Sequence, residues 1–153
     1  MKFTYRSLPV LALFFVIAAC QQNTSKEETT EPGTEKVSLE RDNVQSAAVA
    51  SYEEKVDDAL NDWRFSAKLF ETKERFRFLL EMKYQEMSET DTIKFPNFGM
   101  EPQPKIQKGE NKNECIIGFL DKEGKFREYV KVFVVDDQLR LKTLKHYSIV
   151  EKN

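Results

Sequence analysis

The chain has one His, two Cys, one Trp and five Gly among 153 residues. With so few His and Cys, a metal site built from those ligands fails on count, so no metal is expected. The glycines are spread singly and form no cradle for a phosphate, and no Gly-x-Ser-x-Gly elbow occurs. Nothing else in the pattern asks for a cofactor. Neither sign of charge dominates: 24 Lys and Arg against 26 Asp and Glu leave a formal charge of -2. That balance implies neither nucleic acid nor an acidic surface as a partner. No apolar run is long enough to span a bilayer. Residues 8–18 come nearest, and as a helix they would reach about 16 Å across an apolar layer of about 30 Å.

What is present begins with an address. Lys2 and Arg6 precede the apolar run, which ends in Ile17-Ala18-Ala19-Cys20. A basic start, a short apolar stretch and small residues before a cut describe a signal peptide. The four residues at its end resemble the lipobox of bacterial lipoproteins: a branched aliphatic three places before an obligatory Cys, with small residues between. The resemblance covers residues 1–20. It implies that Cys20 takes a diacylglyceryl group and becomes the first mature residue after removal of residues 1–19. Two or more acyl chains hold a protein stably at a membrane, at about 0.8 kcal/mol per buried CH₂. Gln21 stands where the enterobacterial version of the family uses Asp to retain a lipoprotein in the inner membrane. The resemblance therefore implies the outer membrane of a bacterial envelope, with either face open.

Residues 20–46 comprise Cys20 and a polar, acidic stretch with Pro32-Gly33 at its middle and only Val37, Leu39 and Val44 as aliphatics. So little apolar surface cannot offset the entropy of ordering. A disordered tether is expected, spanning about 28 Å root-mean-square. The acids of residues 26–31 admit a second reading as a surface-export signal.

Residues 47–153 are long enough for one domain with a modest core. Ser51-Tyr52-Glu53-Glu54 fits a helix capping box, and Tyr52, Val56, Ala59, Leu60 and Trp63 follow at helical spacing. A helix over residues 48–62 is predicted. Next, Phe76, Phe78, Leu80, Met82 and Tyr84 alternate with charged or polar residues, as do Trp63, Phe65, Ala67 and Leu69. That alternation predicts antiparallel strands over 63–70 and 75–86, joined near Thr72-Lys73-Glu74. The helix-forming composition of 63–87 keeps a helical alternative open. Three further strands are predicted over 113–120, 126–135 and 139–150, turning at Asp121-Lys122-Glu123-Gly124 and at Asp136-Asp137. Along the middle one, Val130, Val132 and Val134 should face one way, and Tyr129, Phe133 and Val135 the other. Between the halves, residues 91–109 carry four Pro and Gly from Pro96 to Pro104 and read as a long loop.

The expected fold class is α+β: one N-terminal helix packed on an antiparallel sheet of about five strands. In architecture alone it resembles cystatin-like folds. The alternative, two helices and a three-stranded meander, resembles the small lipoproteins that accompany outer-membrane barrel assembly.

Residues able to do chemistry are few. Cys115 lies in a predicted strand and reads as a buried thiol. The only His, His146, should stand about 10 Å from it, two strand steps away, beyond reach for a nucleophile pair. Asp57-Asp58 and Asp136-Asp137 are adjacent acids whose side chains should diverge. From residue 125 on, bases outnumber acids, which reads as a solvated sheet edge. Phe95, Phe98 and Met100 sit in the Pro- and Gly-interrupted loop, where large apolar residues either fold onto the core or form a partner surface. The expected function is non-enzymatic: a lipid-anchored envelope protein serving as a binding or accessory subunit of a membrane-associated complex. An inhibitor or immunity-type lipoprotein acting on an envelope hydrolase, and a carrier of a small apolar ligand, are the alternatives.

Overall fold

A computed structural model of the protein describes residues 38–57 and 60–147. These contain eight β-strands: β1 Ala50–Lys55, β2 Arg64–Glu71, β3 Arg77–Tyr84, β4 Met87–Lys94, β5 Gln103–Lys108, β6 Glu114–Leu120, β7 Phe126–Val135 and β8 Gln138–Thr143. They form two four-stranded antiparallel meanders, β1-β2-β3-β4 and β5-β6-β7-β8. No helix occurs among the described residues. The α+β expectation, its five-stranded sheet and its cystatin-like architecture are thereby corrected to all-β, and the two-helix alternative falls with them.

The first error lies at residues 48–62. β1 runs antiparallel to β2, with Tyr52 opposite Ala67 and Glu54 opposite Phe65. A spacing of four residues, such as Tyr52 to Val56, returns to the same side on a helix and on a strand alike. The apparent helical period was therefore also a strand period. Glu54 does not cap a helix. Its carboxylate accepts the Asn113 N–H and the Tyr52 hydroxyl, which links β1 to the second meander.

The alternating segments behave as expected. β2 and β3 pair antiparallel, and Phe65, Ala67 and Leu69 pack with Phe78, Leu80, Met82 and Tyr84 in one core. The second meander adds Cys115, Ile117, Phe119, Val130, Val132 and Leu139 to the same core. Both predicted turns form. Asp136 and Asp137 have φ of 50° and 54°, as a two-residue hairpin turn requires. Asp121 closes the other, its carboxylate accepting the N–H groups of Glu123 and Lys125 and the Arg127 side chain. The last predicted strand is shorter than expected: it ends at Thr143, residues 144–147 are not strand, and residues 148–150 lie outside the described residues.

β4 and β5 went unread for identifiable reasons. β4 carries Ser88-Glu89-Thr90-Asp91, all exposed, so no apolar alternation marks it. Glu89 and Asp91 stand opposite Met82 and Leu80 and so share their side of the sheet. Charges turned inward on an edge strand block pairing with another chain. β5 contains Pro104, which a sheet tolerates at an edge, and β5 is an edge.

Residues 38–46 of the expected tether are fastened to the β2–β3 turn, and residues 20–37 lie outside the described residues. Arg41 N–H donates to the Lys73 carbonyl and Arg75 N–H to the Leu39 carbonyl, each at 2.9 Å. Gln45 N–H donates to the Glu71 carboxylate. The Arg41 guanidinium is buried at 7% exposure. It donates to the carbonyls of Thr72, Glu74 and Arg75, and pairs with Glu71 at 3.3 Å and Glu101 at 3.5 Å. It also lies 4.7 Å from the centre of the Phe78 ring. Three carbonyls and two carboxylates are the partners a buried guanidinium needs.

Candidate functional site

Of the residues singled out from sequence, Cys20 and Asp58 lie outside the described residues. Phe95, Phe98 and Met100 do not make one surface. Phe95 is buried at 2% exposure, its ring 5.4 Å from Phe78, 5.6 Å from Phe119 and 5.6 Å from Tyr129. Phe98 is half-buried against Phe119 and Tyr147, and Met100 is half-buried. The loop that carries them is short, running between β4 and β5, and it closes the core as a lid. As a partner surface, this trio is corrected at Phe95.

The aromatic group is completed by a bulge that the sequence did not reveal. The β6–β7 register shifts between Ile117 and Gly118, leaving Tyr129 without an opposite residue. Tyr129 turns its ring to Phe95, Phe119 and Tyr147, so it shares the core side with Val130 rather than opposing it. Its hydroxyl donates to the Lys94 carbonyl. Gly118 is required here, because a Cβ would strike the Arg127 carbonyl and the Phe126 ring.

The reactive candidates have structural roles. Cys115 is fully buried, and burial, with the nearby carboxylates of Glu54 and Glu114, pushes its thiol up to about 12. A thiol held protonated in the core is a poor nucleophile. His146 is exposed, so the two do not form a pair. Asp57 is exposed and pairs with Lys112, while Asp137 accepts from the Tyr84 hydroxyl at 3.4 Å. Among the described residues no cluster of His, Cys, Asp and Glu is arranged to hold a metal ion.

Among the described residues the one buried carboxylate is Glu114, at 4% exposure. Burial alone would raise its pKa. Hydrogen bonds from Asn111, Lys131 and the Glu110 N–H outweigh that and hold it below the usual range. Its partners fix the 109–113 loop, so Glu114 organises a turn.

The outer side of the second meander is different in kind. Its cross-strand rows set Leu120 opposite Phe126, Ile116 opposite Lys131 and Lys142, and Phe133 opposite Arg140. Ile116, Leu120, Phe126 and Phe133 are half-buried and Val135 is 45% exposed. Lys131 lies over the Phe133 ring at 4.9 Å. Lys105 on β5 and Arg140 and Lys142 on β8 are exposed around this apolar strip. The sequence signal was β7 itself, apolar on both sides, which asks for cover on both. The core covers one side only.

No protein-family model, no curated protein and no solved structure matches this chain.

Proposed function

We propose that the protein is a lipid-anchored component of a bacterial envelope, on the outer membrane, whose β-domain is a non-enzymatic binding or accessory subunit of a membrane-associated complex. The observation that carries the address is Ile17-Ala18-Ala19-Cys20 behind a short apolar run. A binding role is supported by what the polar groups do. Arg41, Glu54, Glu114 and Asp121 are tied into turns and seams, and the only described thiol is shut in the core. The carrier alternative loses support, because Phe65, Leu69, Phe78, Phe95, Ile117 and Val132 fill the interior between the sheets.

The test is affinity purification of the tagged full-length chain from gently cross-linked membranes, with Cys20→Ser as control. A stoichiometric envelope protein recovered with the wild type and lost in the variant is the expected result. Membrane attachment with no such protein would reject the subunit reading, leaving the inhibitor reading in its place.

A further inference from the structure

We propose that the outer face of the β5–β8 sheet rests on anionic phospholipid headgroups of the membrane that holds the anchor. The inference deepens the anchored reading and depends on it for the whereabouts of the lipid. Its argument comes from this face.

The free charge of the face is positive. Its two acids are satisfied within the domain, Glu114 by Lys131 at 3.1 Å and Glu128 by Lys145 at 3.0 Å. Lys105, Arg140 and Lys142 are exposed and form no ion pair with a described residue. Between them runs the strip of Ile116, Leu120, Phe126, Phe133 and Val135. Bases around a shallow apolar strip suit the boundary between headgroups and acyl chains, where each group meets the solvent it prefers.

The first sheet shows that the pattern is not general to the domain. Its outer side has one apolar pair, Phe70 opposite Leu79, both half-buried, and its other rows are polar: Ser51 and Lys68, Glu53 and Ser66, then Lys68, Glu81 and Thr90, with Lys68 facing Glu81. Arg64 is paired with Glu53 at 2.8 Å. Lipid is favoured over an acidic protein as the occupant because of reach. From Cys20 to the fastened Ser38 the chain can extend at most roughly 60 Å. Headgroups are therefore always at hand, and a weak face suffices when a tether keeps it close. With this face down, the first sheet points away from the bilayer, open to a protein partner.

The test uses residues 20–153 carrying Cys20→Ser, which retain every described buried side chain and have no acyl group. Binding is measured by co-sedimentation with vesicles of phosphatidylcholine and phosphatidylglycerol in equal parts, and with phosphatidylcholine alone. Binding to the anionic vesicles that weakens with salt is expected. Lys105→Gln/Arg140→Gln/Lys142→Gln should weaken it by about two orders of magnitude, at about fivefold per base. Lys55→Gln/Lys68→Gln/Lys83→Gln on the first sheet makes the same change in net charge and should cost less than about twofold. Circular dichroism confirms that both variants are folded. The proposal is overturned by no binding to anionic vesicles, by equal loss in the two variants, or by a dimer in sedimentation equilibrium that the β5–β8 variant alone disrupts. The last result would give the face to a second copy. Because no anchor is present, failure here is distinct from failure of lipidation at Cys20.

Discussion

The two four-strand meanders have the same connectivity and different surroundings. The first, β1 to β4, has an outer side that is polar apart from Phe70 and Leu79, and it is fastened at the β2–β3 turn by Arg41. The second, β5 to β8, is bent by the bulge at Tyr129 and keeps an apolar strip on its outer side. One connectivity thus yields one sheet whose outer side is mostly polar and one with a longer apolar strip. The difference lies in a few residues: Lys68, Glu81 and Lys83 where the other sheet has Ile116 and Phe133.

The strongest way to break the comparison is to remove what the two sheets share. Phe95 touches rings from both, and Phe95→Ala should cost about 4 kcal/mol, read as a lower urea midpoint. Both sheets should lose amide protection together. Gly118→Ala should cost about 3 kcal/mol by forcing β7 off the bulge. Its signature is lost protection in β6 and β7 while β2 and β3 are retained at low denaturant. Such selectivity in Phe95→Ala, or its absence in Gly118→Ala, would contradict the assignment of these residues.

Arg41→Ala sharpens the contrast from the other side. It leaves three carbonyls of the β2–β3 turn without their donor, at about 2 kcal/mol. Hydrogen exchange should quicken over residues 38–46 and the turn, with the second sheet unchanged. Stability near neutral pH equal to wild type would mean that residues 38–46 are not fastened.

The smallest effects concern protons. Glu114 and Asp121, both in the second meander, have pKa values held down in the fold, Asp121 chiefly by the Lys125 N–H. A carboxyl with a depressed folded pKa stabilises above its unfolded pKa, and that contribution is lost as pH falls through the folded value. Acid should therefore loosen the 109–113 loop and the Asp121 turn, and Glu114→Gln should flatten the acid limb of the stability profile. Cys115 and Tyr52, both raised to about 12, act in the opposite direction. Their contribution is fully present below their unfolded pKa values and is lost as pH rises toward 12.

Much of the β-structure was legible because burial on one side imprints a period of two. β2, β3 and β7 show it, and their apolar residues reach the core. β1 was misread because Tyr52 and Val56 satisfy both periods. β4 was silent because its inward positions hold Glu89 and Asp91. The role of Arg41 was illegible, since an arginine in a polar run gives no sign that distant carbonyls await it. Phe95 and Phe98 were correctly marked as needing cover, but composition alone did not say whether the core or a partner supplies it. The outer strip was half legible: β7 announced two apolar sides, while Ile116 and Leu120 on its neighbour β6 acquire meaning only through the register.

The central claim is attachment through Cys20. The direct measurement is the intact mass of the protein extracted from membranes of a bacterium expressing the full chain. The account predicts a chain beginning at Cys20 and heavier than its sequence by a diacylglyceryl group, or by that group and a further acyl chain. A chain that keeps residues 1–19, or one with an unmodified Cys20 thiol, would contradict it.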